Sequence, residues 1–348
     1  MATHNLATQS ARIGRLKGEI LAHVMPVEVF GKFGVKKPMP KNSSETVIFR
    51  RWLPKGATTS TPNTWLVNPT SHQLSEGETP VADTVSAQDI TATLVEYGFI
   101  YRWSNRTEDL YEDDVPAEIK RLTGERMGLL LEMVRWGQLK ACTNVFYAGG
   151  VTTRATVVSI LTAAVLRKVS RALQVNQGAK ITSILDASPK VGTQPIESAY
   201  IVICHSDMEN DIRTALTGFI HISEYGNRQT IHENELGSWE NFRFVTSPHL
   251  TPALLAGGNV GGTMLSNGVA GTTSAADIYS LIVLSQDCFG DVALRGKSAM
   301  NVEAFPASQK TKDDPLGQRG LIGAQTYFTA VRLNDLQMAV VECGCTYL

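Results

Sequence analysis

Apolar side chains recur at no single period across residues 1–60, which carry basic residues such as Arg12, Arg15 and Lys17 among glycines and prolines. One β-like run stands out there, Thr46-Val47-Ile48-Phe49. A stretch patterned in this way does not close a core of its own; it is either disordered or laid on another surface. Residues 56–86 are rich in Thr, Ser, Pro and Gly, with Trp65-Leu66-Val67 as an apolar island. Then Val95, Tyr97, Phe99, Tyr101 and Trp103 fall on one face, and Glu96, Gly98 and Arg102 on the other. Such alternation predicts a half-buried strand. The extended excursion leading into it predicts a large projecting hairpin, marginal alone in water.

Over residues 116–147 the period changes to three and four, and Ile119, Leu122, Leu129, Met133, Trp136 and Leu139 mark the stripe of a long amphipathic helix. Acidic Glu112, Asp113 and Asp114 suit its positive start, Pro116 its first turn, and Gly149-Gly150 its end. Gly124, Gly128 and Gly137 lie inside it, each costing about 1 kcal/mol against alanine. Gly124 and Gly128 share a face, which suits either close packing of another element or a point where the helix bends. Beyond residue 151 the pattern predicts a helix over 155–173, a buried strand over 199–204, a helix over 207–216 and a short strand over 242–245. A glycine-rich loop at 257–271, a buried strand over 279–284 and two final strands at 321–333 and 335–342 complete it. This mixed order predicts an α+β protein built on a central sheet.

Composition narrows the function. The 348 residues are 43% apolar and 19% charged, which suits an ordered globular protein. A net charge of −1 argues against a dedicated nucleic-acid binder, though a near-neutral wall beside nucleic acid would not stick to it. Cys142, Cys204, Cys288, Cys343 and Cys345 are scattered and follow no secretory apolar segment, so reduced thiols are expected. Cys343-Gly-Cys345 lacks the second pair that a zinc site needs. No apolar run is long enough to span a bilayer.

Candidate chemistry is sparse. Cys204-His205-Ser206-Asp207 contains a nucleophile, a base and an acid, but neighbours on a strand point to opposite faces and triads converge from distant segments. Ser206 followed by Glu209 reads instead as a capping box on the next helix. His221, His232, Glu233 and Glu235 match no metal spacing and read as a solvated polar loop. The run from Gly257-Gly258 to Gly261-Gly262 lacks phosphate-loop spacing and reads as a flexible loop. No catalytic residue, cofactor or metal is expected.

The sequence is most specific near its end. Asp314-Pro315-Leu316-Gly317-Gln318-Arg319-Gly320, followed by Gly323, Tyr327-Phe328 and Leu333-Asn334-Asp335, resembles the C-terminal signature of the tailed-bacteriophage major capsid proteins. Three blocks agree in order: Thr46-Val47-Ile48-Phe49-Arg50, the stretch from Glu235 through Gly237 to Val245, and Ile278 to Leu284 with Phe289-Gly290. The chain departs from the family at 343–348, which is longer and richer in cysteine.

The resemblance implies the α+β Hong Kong 97-like capsid fold. It implies an N-terminal arm (1–55), an extended hairpin loop (56–112), a peripheral domain with a long spine helix (113–150 and 305–333) and an axial domain (151–304 and 334–348). It further implies hexamers and pentamers closing an icosahedral head around double-stranded DNA, without sequence-specific binding and without a membrane. Portal and scaffolding proteins, with room for a decoration protein, are the implied partners. A nanocompartment shell of the same fold, or a glycine-loop nucleotide enzyme, are the alternatives. Under this reading Arg319 and Trp65 are expected at subunit boundaries, with an intrachain salt bridge as the other fate of Arg319, and Gly124 and Gly128 are where the spine helix would bend.

Overall fold

The computed structural model describes residues 28–347, except 43, 59–60, 66–67, 78, 80–81, 111–113, 186–192, 227, 261–262, 268, 271–274, 296–299 and 311–312. Arg12, Arg15, Lys17 and the rest of the arm before residue 28 lie outside the described residues, as do Leu66, Val67, Glu112, Asp113, Gly261 and Gly262.

The larger sheet has eight strands. Its order is Val145–Tyr147, Met338–Cys343, Tyr279–Leu284, Thr193–His205, Phe242–Ser247, Glu235–Trp239 and Ile220–His221, with Ile181–Leu185 paired to Thr193–His205. Tyr279–Leu284 is buried at all six positions because both faces of the sheet are covered. Tyr200, Val202, Leu281 and Val283 meet the helix Ala163–Val175 through Val165, Leu166 and Val169. Ile201, Ile203, Ile282 and Leu284 face the other way, onto Trp136 and Leu139 of the long helix Val115–Lys140 and onto Phe30.

The smaller sheet is organised by Arg319–Arg332, whose burial alternates along its length. Along one edge it pairs with Phe289–Ala293 and Met300–Phe305; along the other it pairs with Val95–Ser104 from Arg319↔Ser104 to Phe328↔Val95. The aromatic strand is present with the predicted alternation, yet its partner is this C-terminal strand and not the hairpin. The hairpin ladder is Thr46–Leu53 against Ser86–Thr93. Its root rests on Val292 and Val331 of the smaller sheet through Val47, Phe49 and Ala92.

Two further expectations are corrected. The long helix stops at Lys140 with Ala141 as its cap, well before Gly149-Gly150. The β-branched and aromatic Val145, Phe146 and Tyr147 form a strand beside Met338–Cys343 instead. The next helix begins at Ala163, eight residues later than position 155. Thr156, Val157, Val158, Ile160 and Thr162 are β-branched and favour extended chain, which buries Val157 and Leu161 and leaves Val158 outside. The two final strands are Arg319–Arg332 and Met338–Cys343, and they belong to different sheets. Among the described residues no helix is long and apolar enough to cross a membrane.

Candidate interface elements

The turn before the last long strand is fixed by one carboxylate and two glycines. Asp314 accepts the backbone N–H of Arg319 at 2.7 Å. Backbone N–H groups of Gln318, then Arg319, hold that carboxyl below its ordinary range. Gly317 has φ of +67°, a left-handed conformation, and a Cβ there would press on the Ala307 carbonyl oxygen. Gly320 sits opposite Trp103 across the ladder, and a Cβ on it would enter the indole. That indole is 2% exposed and donates to Glu108 at 2.9 Å. Arg319 between the two glycines is exposed, and its guanidinium makes no ion pair with a described residue.

The hairpin presents a bare outer face. Ile48 and Trp52 are 58% and 65% exposed and flank the ion pair of Arg50 with Asp89 at 2.7 Å. Trp65 is 60% exposed and lines an open groove with Phe49, Trp52 and Pro62. The structure thus brings Trp65 beside Trp52, a residue that sequence reading missed. The signal was present: Ile48, Arg50 and Trp52 continue the alternation of the β-like run to Leu53.

The first described residues are clasped to the long helix. Glu132, fully buried, accepts the N–H groups of Val29 at 2.6 Å and Phe30 at 2.8 Å. Its other oxygen faces Arg135 at 3.4 Å, and Arg135 donates to Asp291 at 2.9 Å. Burial pushes Glu132 and Asp291 above the ordinary carboxylate range, while Arg135 opposes the shift at both. His232 sits 3.0 Å from the Glu28 carbonyl through Nε2, while its Nδ1 accepts the Asn234 N–H at 3.0 Å. Those two bonds require the neutral tautomer with the proton on Nε2, and burial lowers the His232 pKa accordingly.

The helix glycines have different surroundings. A Cβ on Gly124 would meet nothing within 4 Å, whereas one on Gly128 would strike the Glu28 carboxylate. Gly128 makes room for the clasped segment and Gly124 faces open space. Gly124→Ala is therefore expected to stabilise the chain by about 0.5–1 kcal/mol through helix propensity alone, read as a higher denaturation midpoint; an unchanged midpoint would show the helix is not the limiting element there.

Several polar groups differ from expectation. His232 and Glu235 are buried and not part of a solvated loop. Glu235 takes Arg243 at 2.7 Å, the Tyr225 hydroxyl at 2.9 Å and the Ile231 N–H at 2.6 Å, because its strand lies beside that of Arg243. The capping box does not form. His205 caps instead, its Nδ1 accepting the Asp207 N–H at 3.1 Å, and Glu209 pairs with Arg213. Cys204 is fully buried, and that burial pushes its thiol up to about 12. Gly257 and Gly258 are not a flexible loop. Their N–H groups bond to Ala276 and Val157 carbonyls at 2.9 Å, and a Cβ at either would collide with neighbours. Among the described residues no group of three or more His, Cys, Asp or Glu side chains is placed to hold a metal.

No protein-family model matches the chain, and no curated protein does. Solved structures do. The capsid of Ralstonia phage GP4 is similar with a TM-score of 0.68 at 11% identity, covering 99% of this chain and 98% of that one. The capsid of Cyanophage P-SCSP1u gives 0.60 at 12% identity, with 95% and 92% covered. The head of Helicobacter pylori bacteriophage KHP40 gives 0.58 at 13% identity, with 99% and 98% covered. Likeness at these identities establishes the fold: the chain has the α+β architecture of phage capsid chains over nearly its whole length, the Hong Kong 97-like fold that its sequence blocks resemble.

Proposed function

We propose that the chain is the major capsid protein of a tailed double-stranded DNA bacteriophage, a structural protein and not a catalyst, assembling as hexamers and pentamers into an icosahedral head. The observation that carries this reading is the uncovered outer face of the hairpin, in a chain whose fold is that of capsid subunits end to end. Covering a side chain such as Ile48 or Trp52 on a neighbour contributes roughly 1.5–3 kcal/mol. That is modest per copy, but linked weak contacts repeated under closed symmetry multiply in avidity. A shell held in this way persists because release must break many contacts together.

The domain partition set out from the resemblance belongs to the same proposal, with arm 1–55, hairpin loop 56–112, peripheral segments 113–150 and 305–333, and axial segments 151–304 and 334–348, although the hairpin ladder begins at Thr46 and Val95–Ser104 and Phe289–Ala293 pair into the smaller sheet beside Arg319–Arg332. So do portal and scaffolding partners, a place in the virion head, and a boundary role for Arg319 and Trp65. A bend of the spine helix at Gly124 and Gly128 during shell expansion is part of it too. Gly124→Ala would then slow expansion, and cryo-microscopy showing normal expansion of that variant would remove the bending role.

Electron microscopy of the expressed full chain tests the reading directly: closed, uniform particles are expected, and a compact monomer at all concentrations would refute it. Genes for a portal and a terminase beside this one would favour a phage head over a nanocompartment shell. Arg319→Ala is expected to leave a soluble subunit that fails to close shells, since the turn holds the guanidinium outward on a stiff loop. Normal particle yield from that variant would remove Arg319 from the interface.

A further inference from the structure

Arg51 lies on the inner face of the hairpin, and nothing in its surroundings neutralises it. Its Nη2 donates to the neutral Gln88, its cross-strand partner, at 2.5 Å. Its Nε and Nη1 are buried and have no hydrogen-bond partner. The Nδ2 of Asn63 is likewise buried and unpartnered. The Oδ1 of the same Asn63 is engaged by Asn334 at 3.0 Å, so the amide nitrogen is the end left over. Three buried donors, two of them on the charged guanidinium, therefore lack an acceptor. Burial with no compensating anion lowers the Arg51 pKa.

Beside Arg51 opens a pocket of about 440 Å³ between the hairpin root and the turn joining the two final strands, lined by Gln138, Thr143, Arg332, Asn334 and Asp335 among others. Its one carboxylate is already committed, since Asp335 takes Arg332 at 3.3 Å and Thr143 at 3.1 Å. A small inorganic anion would fill little of that volume. A side chain carried on a peptide segment would fill more.

We propose that this pocket receives a carboxylate from a second copy of the chain, which pairs with Arg51. The inference rests on the shell reading and adds an electrostatic lock beneath the apolar face of Ile48 and Trp52. A guanidinium whose donors are partly buried and unpaired destabilises a subunit until an anion meets it. Association is therefore favoured by completing a pair that the free subunit leaves open, and a copy that presents no carboxylate is rejected. The sequence offers its densest supply at residues 108–114, which include Glu108, Asp109, Glu112, Asp113 and Asp114. Asp109 there is exposed, and among the described residues no hydrogen bond or ion pair engages it.

Two variants of the full-length chain test the lock. Arg51→Met removes the charge and keeps the apolar stem. The unassembled chain should melt no lower than wild type, because an unpaired buried charge is gone, while particle yield falls by about tenfold or more through loss of one linked contact. Arg51→Lys places an amine at the same position. Shells assembled from mixed isotope-light and isotope-heavy chains are then treated with a zero-length carbodiimide. Cross-links from residue 51 to an Asp or Glu on a chain of the other label support the proposal. Wild-type yield from Arg51→Met, or cross-links confined to one label or absent, overturn it and leave the shell reading intact. If the wild-type chain forms no particles, the shell reading fails and the lock fails with it.

Discussion

Glu132→Ala should destabilise the full-length chain by about 3–5 kcal/mol, the range for breaking a buried, hydrogen-bonded charge pair by removing one partner. The substitution strips the acceptor from the Val29 and Phe30 N–H groups and leaves Arg135 with Asp291 alone. Each orphaned buried donor adds its own desolvation cost, about 1–3 kcal/mol. Phe30 is fully buried and lies against Trp136, with ring centroids 6.2 Å apart and planes tilted by 30°. Loosening the clasp therefore also opens the core beneath the eight-stranded sheet. Glu132→Gln keeps an oxygen for both backbone donors and should lose less. The measurement is a denaturant midpoint for each variant, with limited proteolysis reporting release of the segment before residue 30. Equal midpoints for wild type and Glu132→Ala would show that the clasp contributes nothing.

Gly320→Ala should cost about 2–3 kcal/mol by overpacking. The new methyl would occupy space filled by the Trp103 ring. The ring cannot swing aside without losing its bond to Glu108 and its packing on Ile119 and Ile322. Gly323→Ala, three positions on in the same strand, is the control. Its Cβ would find Ile100 at 3.7 Å, an ordinary contact, so a change within about 0.5 kcal/mol is expected. Thermal melts of both variants decide the point, and equal losses would place the cost in the strand backbone instead of the indole. The glycine before Arg319 serves turn geometry, and the glycine after it serves a tryptophan that sequence distance hides.

What the chain's pattern determined by itself was the set of elements whose burial is periodic. The long helix and the aromatic strand Val95–Ser104 each carry a period that one buried stripe or face imposes, and the unbroken apolar run of Tyr279–Leu284 records burial on both faces. Their sequences therefore record where water was excluded, whatever the partner. The bare hairpin was legible in the same way, because a segment too poor in apolar residues to make a core announces that its cover lies elsewhere. The C-terminal blocks went further and pointed to the fold that the solved phage capsids share.

Only the tertiary structure decided which element pairs with which. Alternation says that a strand has two faces, but it does not name the strand beside it. Val95–Ser104 was therefore assigned to the hairpin when its ladder runs along Arg319–Arg332. The same limit hid the Glu132 clasp, the Glu235–Arg243 pair and the orphaned Arg51. A buried charge has the same one-letter code as a solvated one, and its partners lie up to 156 residues away. Hydrophobic burial is a property of single positions and leaves its trace in local order. Pairing is a property of two distant positions, and it becomes visible only when the fold brings them together.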